Sequence, residues 1–189
     1  MNFLKIKNFL LVFLIIFSYL ISVVKTYAVD ITADRTISSS SDGDQYNIKT
    51  NNDIDVIVTN NSTLERNQKI FNVSASSLTG SSITIHLGSS VIAETNSIFS
   101  NGAELTITNT GTIEATNSKA INVSNSDGVS ITNNNNGVIK SNNNTILGDA
   151  GTGADNVTID NSGEIYTTAT GTESSAIVFA NNDTGNTIT

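Results

Sequence analysis

The sequence predicts an all-β protein built as a parallel β-solenoid, a coil in which short strands stack on their copies one turn later. A pattern of the form Asn-x-Gly-x-Ile recurs in the second half of the chain, at residues 109–113, 135–139 and 161–165, a spacing of 26 residues. Each copy follows a short run with the period of two that is typical of a half-buried strand. No ten-residue stretch after the N-terminal segment has a helical period, so we expect almost no helix there.

The composition narrows the classes of function. The chain has 189 residues, with 9 Lys and Arg, 17 Asp and Glu, and no cysteine or proline. An acidic chain lacks the positive surface that holds nucleic acid or an anionic membrane. Without cysteine, disulfides, thiolate catalysis and zinc-thiolate sites are excluded. The lack of proline favours continuous backbone ladders, because proline cannot donate a hydrogen bond to one.

Residues 1–28 have the features of a signal peptide. Lys5 and Lys7 precede an uncharged apolar run over residues 9–24, and Ala28 is a small residue suited to cleavage before Val29. The run is shorter than the ~20 residues that a stable membrane helix needs. We therefore expect an exported mature chain with no membrane span and, after the loss of three lysines, a net charge of −11. The alternative is a signal that is retained as an N-terminal anchor.

The mature chain divides into an N-terminal cap segment, residues 29–52, and a solenoid region, residues 53–189, of about five turns. Each turn has 21–31 residues and three short apolar pieces joined by Asn, Gly and Ser turns. Strands this short cannot bury their apolar faces alone, so we expect equivalent pieces to stack in internal columns. The predicted columns are Ile57, Ile85, Ile107, Ile131 and Ile159; Leu64, Ile92, Ile113, Ile139 and Ile165; and Phe71, Ile98, Ile121, Ile146 and Ile177.

The asparagines that open the repeated motif, Asn109, Asn135 and Asn161, should stack as a ladder in which each side-chain amide bonds to the next. Two other interpretations remain open. The polar composition is also typical of a disordered tract, and a β-sandwich would use similar strands. The recurrence of Ile and Val in register favours the solenoid over disorder.

With pieces such as ITNTGTI at residues 107–113 and IDNSGEI at residues 159–165, the chain resembles the passenger region of bacterial autotransporters. The resemblance covers roughly residues 53–189 and implies a right-handed parallel β-helix at the cell surface, associated with the outer membrane, or secreted. The C-terminal β-barrel of that family has no counterpart here. The chain ends near Ile188, in what resembles the first strand of a sixth turn. We therefore expect either a fragment of a longer product or a shared fold without the shared secretion route.

An open solenoid end exposes unpaired backbone groups and apolar side chains, which form a template for another strand. The segment around Ile188 has no capping helix or charged edge after it. We therefore expect the chain, produced alone, to associate end to end.

The sequence offers no convincing catalytic, cofactor-binding or metal site, and we expect no cofactor. His86, the one histidine, alternates with Ile85 and Leu87 and should face solvent, which argues against a catalytic triad. The pairs Asp42/Asp44 and Asp53/Asp55 would each share one strand face and could act as an acid and a base. No basic residues cluster beside them to hold an acidic sugar.

Two further features of the sequence resemble known ligand-binding motifs. Residues 150–158 differ by one residue from the start of a calcium-binding nonapeptide repeat, but that motif shares its ion between tandem copies and here occurs once. A corner insertion is the simpler interpretation. Outward Thr84, Thr106, Ser130 and Thr158 should form a column beside His86, Thr108, Thr132 and Asp160. Flat threonine arrays of this kind serve some ice-binding proteins, although His86 and Asp160 interrupt the array.

The favoured function is therefore a non-catalytic, exported passenger, structural or adhesin-like, whose outer Asn, Thr and Ser ladders meet a glycan or protein partner. The alternative is a β-helical carbohydrate-active enzyme of the polysaccharide lyase or hydrolase type.

Overall fold

The structure is a computed structural model that describes residues 28–49, 52–59, 61–74, 78–102, 104–148, 153–171, 174–180 and 183–189. The predicted signal peptide, apart from Ala28, lies outside the described residues. Within the described part, the chain forms strands and turns and no helix. The prediction of an all-β parallel solenoid with three strands per turn is therefore confirmed.

Twenty short strands follow one another along the chain. They are β1 (Ala28–Ile31), β2 (Arg35–Ile37), β3 (Ser41–Asp42), β4 (Gln45–Ile48), β5 (Asp55–Val58), β6 (Thr63–Arg66), β7 (Phe71–Val73), β8 (Ser81–Ile85), β9 (Ser90–Ala93), β10 (Ile98–Ser100), β11 (Leu105–Asn109), β12 (Thr112–Ala115), β13 (Ile121–Asn122), β14 (Ser130–Asn133), β15 (Val138–Ser141), β16 (Ile146–Leu147), β17 (Thr158–Asn161), β18 (Glu164–Thr167), β19 (Ile177–Val178) and β20 (Thr187–Ile188).

Every third strand belongs to the same parallel sheet. Sheet 1 has the order β1-β4-β7-β10-β13-β16-β19, sheet 2 the order β2-β5-β8-β11-β14-β17-β20, and sheet 3 the order β3-β6-β9-β12-β15-β18. The five predicted turns correspond to β5 through β19, and β20 pairs with β17 as the first strand of a further turn. The segment predicted as a cap contributes β1 to β4 to the same sheets, in parallel with the strands that follow.

The third predicted column is confirmed throughout, because Phe71, Ile98, Ile121, Ile146 and Ile177 are successive partners in sheet 1. The side chains of this column belong to the hydrophobic core or pack against it. Tyr46 extends it towards the N-terminus, with its ring 5.6 Å from that of Phe71.

The other two columns need correction at their N-terminal ends. In sheet 2 the column is Val56, Ile83, Ile107, Ile131, Ile159 and Ile188, so the assignments of Ile57 and Ile85 to it were wrong. In sheet 3 the column is Leu64, Val91, Ile113, Ile139 and Ile165, with Val91 in place of Ile92. In β8, Ile83 and Ile85 both face inward, and the residue assigned to the column was two positions too far along. β5 and β9 carry adjacent β-branched residues, so their sequences do not decide which residues face inward. A shift of one residue turns a side chain to the opposite face.

The asparagine ladder exists, but its middle member is Asn133 and not Asn135. Asn109 donates from Nδ2 to Oδ1 of Asn133 at 2.8 Å, and Asn133 donates in the same way to Asn161 at 2.8 Å. Asn133 is fully buried, whereas Asn135 is exposed. The turn after Asn133 is two residues longer than the turns after Asn109 and Asn161, so the motif asparagine before Gly137 is displaced from the column.

Candidate interaction surface

The outer face of sheet 2 carries the predicted threonine array, in a corrected register. One column contains Ser82, Thr106, Ser130 and Thr158, and the neighbouring column contains Thr84, Thr108, Thr132 and Asp160. Thr84 therefore belongs beside Thr108 and not beside Thr106. The error has the same origin as that of Ile85, because Ile83 is the inward residue that aligns with Ile107.

Six hydroxyl groups define this surface, which we call the hydroxyl face: those of Thr84, Thr106, Thr108, Ser130, Thr132 and Thr158. Each lies at a half-buried or exposed position. In the described structure, none of the six side chains hydrogen-bonds to another protein group. The strands lie about 4.8 Å apart, and outward residues repeat every ~6.6 Å along each strand, so the hydroxyls form a regular grid. Each hydroxyl can donate a hydrogen bond to a ligand and accept one from it.

One acidic side chain borders each column of the hydroxyl face, at opposite ends of the two columns. Asp55 accepts a hydrogen bond from Ser82 Oγ at 2.6 Å, and Asp160 follows Thr132 in the second column. Ile57 interrupts the second column on the other side of Thr84. The usable grid is therefore limited to the central turns.

His86 is exposed, as the sequence predicted, and lies just after β8. Its Nδ1 is 3.3 Å from Thr59 Oγ1, and its backbone N–H donates to the carbonyl of Val58. Neither neighbour is a carboxylate that could orient the ring as a general base. Leu87, next to it, is 64% exposed and provides one apolar point at this edge of the sheet.

The strand alternation on which the two aspartate pairs rested is interrupted in both cases. Asp53 lies in the turn before β5 with a left-handed φ of 55°, so the alternation of β5 begins only at Asp55. Gly43, with φ of 88°, separates Asp42 at the end of β3 from Asp44. The position of the Asp42 side chain lies outside what the structure describes.

The segment that resembles a calcium repeat is described only from Gly153 onwards; residues 149–152 lie outside the described residues. Asp155 accepts hydrogen bonds from the backbone N–H of Thr184 at 2.6 Å and from its hydroxyl at 3.2 Å. This carboxylate therefore joins two adjacent turns. Among the described residues, no group of three His, Asp or Glu side chains is placed to hold a metal ion.

Sheet 3 presents a mixed outer column of Glu65, Ile92, Glu114, Lys140 and Tyr166. Lys140 Nζ lies 3.0 Å from Glu114 Oε2, and this hydrogen bond raises the pKa of Lys140 above its ordinary value. Tyr166 is 38% exposed at the next position along the column.

Sheet 1 carries a second amide ladder on its outer face, which was not predicted from the sequence. Asn72 donates to Asn47 Oδ1 at 3.2 Å, and Asn47 donates to Asp30 Oδ1 at 3.0 Å. The hydrogen bond from Asn47, together with Lys49 Nζ at 3.3 Å, lowers the pKa of Asp30. The signal in the sequence was an asparagine followed by Ile or Val at equivalent positions of successive turns.

Comparisons with protein-family models, curated proteins and solved structures give no match for this chain. None of the described residues lies in a helix long and apolar enough to cross a membrane. The fold defines a parallel β-solenoid with three parallel sheets, each built from one strand of every turn.

Proposed function

We propose that this chain is an exported, non-catalytic binding module of the passenger type, which acts at the cell surface, in association with the outer membrane, or as a secreted protein. The observation that supports the proposal is the hydroxyl face, with six hydroxyls that have no protein partner. Displayed on paired strands, these groups lose little further freedom when they bind, which reduces the entropic cost of association.

A glycan is the favoured partner, because its many hydroxyls are donors and acceptors that match a repeated grid of the same groups. Individual contacts of this kind are weak, at about 1 kcal/mol each. A repetitive surface compensates by engaging several sugar units of one polymer together, which raises the overall affinity. A protein partner is the second possibility and would be detected by the same surface variants.

The proposal also includes export by the predicted signal peptide. Material recovered outside the cytoplasm should begin at Val29, and N-terminal sequencing checks this. Exported protein that retains residues 9–24 would instead indicate an N-terminal anchor.

The binding test uses residues 29–189 and an array of neutral and acidic glycans. The double substitution Thr108→Val and Thr132→Val removes two central hydroxyls while keeping the side-chain shape. We expect it to abolish or strongly reduce binding of the glycan that the parent chain retains. The matched control is Thr63→Val with Thr112→Val, which removes two outward hydroxyls from sheet 3.

Equal binding by the two double variants would contradict the role of the hydroxyl face. The enzyme alternative is tested on the same protein by incubation with polysaccharides and measurement of newly formed unsaturated or reducing ends. Release of such ends would overturn the non-catalytic proposal.

A further inference from the structure

The corner between sheets 3 and 1 gathers two basic side chains in a chain of acidic net charge. Arg66, the last residue of β6, faces inward and is only 9% exposed. Lys69 follows in the turn before β7 and is half-buried. Among the described residues, neither of these side chains forms an ion pair, whereas Lys140 is paired with Glu114.

The guanidinium of Arg66 is held by neutral acceptors. It donates from Nη1 to Gln45 Oε1 at 3.1 Å and, over a longer distance of 3.5 Å, from Nη2 to Gln68 Oε1. Its Nε is buried and has no partner. Because the amide oxygen of Gln68 faces the guanidinium, the amide N–H groups of Gln68 remain as donors for another group. A buried, incompletely satisfied cation of this kind favours a nearby anion.

A groove of about 390 Å³ lies beside this arrangement. Its lining side chains are polar or basic and include no carboxylate: Gln45, Gln68, Lys69, Asn72 and Thr95. The neighbouring groove, which Arg66 itself lines, is different, because Glu65 and Glu94 also line it. Asp44 is the carboxylate whose charge acts on Arg66, and its effect on the pKa of Arg66 is smaller than the opposing effect of burial.

Phe99 fixes the position of Lys69. The Lys69 Nζ lies 3.4 Å from the centre of the Phe99 ring, a cation–π contact that occupies one side of the ammonium group. Lys69 is half-buried and forms no ion pair among the described residues, so its ammonium has lost part of its hydration without a compensating charge, and this burial lowers its pKa. An anion in the groove would provide the opposite charge that the Lys69 ammonium lacks.

We infer that this groove binds a carboxylated sugar, such as a uronic acid unit of an acidic polysaccharide. Lys69 and the amide of Gln68 donate to the carboxylate, and Thr95 and Asn72 meet ring hydroxyls. Arg66 is a positioning residue that orients both glutamines and adds positive charge behind the groove. The inference rests on the proposed glycan-binding function and adds a second site with a defined ligand class.

The experiment is a calorimetric titration of residues 29–189 with a short oligogalacturonate at low salt, with a neutral galactose oligosaccharide of equal length as the reference. Lys69→Gln should weaken oligogalacturonate binding by about tenfold, the effect of one charge-assisted hydrogen bond. Gln68→Glu, at an exposed position, should weaken it at least as much because it places a carboxylate in the groove. Lys119→Gln is the matched control. Lys119 occupies the equivalent corner position two turns further along, and its substitution removes the same charge.

Three outcomes would overturn the inference: no binding of oligogalacturonate, equal binding of the neutral oligosaccharide, or equal losses from Lys69→Gln and Lys119→Gln. Circular dichroism of each variant verifies the fold. Binding of neutral glycans that depends on Thr108 and Thr132, without binding of oligogalacturonate, would overturn this inference and leave the proposed function intact. The opposite result would retain the groove and reject the hydroxyl face.

Discussion

At the scale of single residues, the most demanding feature is the asparagine ladder inside the solenoid. Asn133 is completely buried, and a buried amide destabilises the fold unless its groups are paired. Its Nδ2 lies within hydrogen-bond distance of Asn161 Oδ1 and of the carbonyls of Gly137 and Glu164, and its Oδ1 accepts from Asn109. The ladder therefore satisfies the polar groups of the turns on both sides of it.

Asn133→Ala should lower the free energy of unfolding by about 2 kcal/mol or more, because it removes the acceptor of Asn109 Nδ2 and the donor to Asn161 Oδ1 inside the ladder. The measurement is urea unfolding followed by circular dichroism. Asn135→Ala is the control, and as an exposed substitution it should change stability by less than about 0.5 kcal/mol. A larger loss at Asn135 would support the register predicted from the sequence motif.

Ile131 and Ser130 form a second pair of test positions, since they are adjacent and face opposite sides of β14. Ile131 is fully buried between Ile107 and Ile159, so Ile131→Asp places an unpaired charge in the core and should cost several kcal/mol. Ser130→Asp, on the hydroxyl face, should cost well under 1 kcal/mol. Thermal unfolding of both variants checks the register, and equal tolerance would refute it.

At the scale of elements, the corner between sheets 2 and 3 explains the glycine of the repeated motif. A Cβ added at Gly163 would lie 2.3 Å from the carbonyl oxygen of Gly137 and 2.5 Å from that of Asn134. These atoms belong to the backbone of the preceding turn and cannot move without disturbing the stacked strands. The glycine is required by the close approach of two turns.

Gly163→Ala should therefore destabilise the protein by about 1–3 kcal/mol, the usual cost of forcing atoms into a packed site. Gly171→Ala is the matched control, because an added Cβ there meets no atom within 4 Å. We expect it to be neutral or to stabilise by up to about 1 kcal/mol through the unfolded chain. Chemical unfolding of the two variants tests the close approach, and similar stabilities would contradict it.

The ion pair between β12 and β15 gives a pH-dependent contribution. The pKa of Lys140 is raised above 10.5 in the folded protein, chiefly by its hydrogen bond to Glu114, so the folded state binds this proton more tightly than the unfolded chain does. The contribution is fully present below pH 10.5 and is lost as the pH rises through the folded pKa. Since both side chains are partly exposed, it should amount to less than about 1 kcal/mol.

Lys140→Met should remove the contribution of this ion pair, and with it the loss of stability that the pair causes as the pH rises. The check is the unfolding midpoint of the parent and the variant at several pH values on both sides of 10.5. The difference between the two proteins should shrink as the pH rises. A constant difference across the range would show that the lysine acts through packing alone.

At the scale of the whole molecule, each turn contacts only its neighbours, so stability is expected to vary along the solenoid. The central turns have fully buried columns, with Ile83, Ile107 and Ile131 at 0% exposure. Burial declines towards the last described strands, where Ile177 is partly buried and Ile188 is 54% exposed.

Amide hydrogen exchange should follow this gradient. We expect the slowest exchange in β8, β11 and β14 and the fastest in β19 and β20, because local opening requires the loss of fewer buried contacts there. Mass spectrometry of peptic fragments measures it. Uniform protection from β5 to β20 would indicate a single cooperative unit and contradict the expected gradient.

Several features follow from the sequence because they depend on local period and composition. Alternating β-branched residues and the 26-residue motif spacing predict strands, their stacking and the number of turns. Where one apolar residue stands between polar neighbours, as at Ile113 and Ile131, the inward residue is also evident.

Tertiary structure decided the features that depend on contacts between turns. Val56 and Val91, and not Ile57 and Ile92, face inward, because runs of adjacent β-branched residues suit either face and only the stacked partners select one. A two-residue extension of one turn placed Asn133 in the ladder. The groove beside Lys69 joins side chains from three successive turns, which no local pattern connects; stacking alone brings them together.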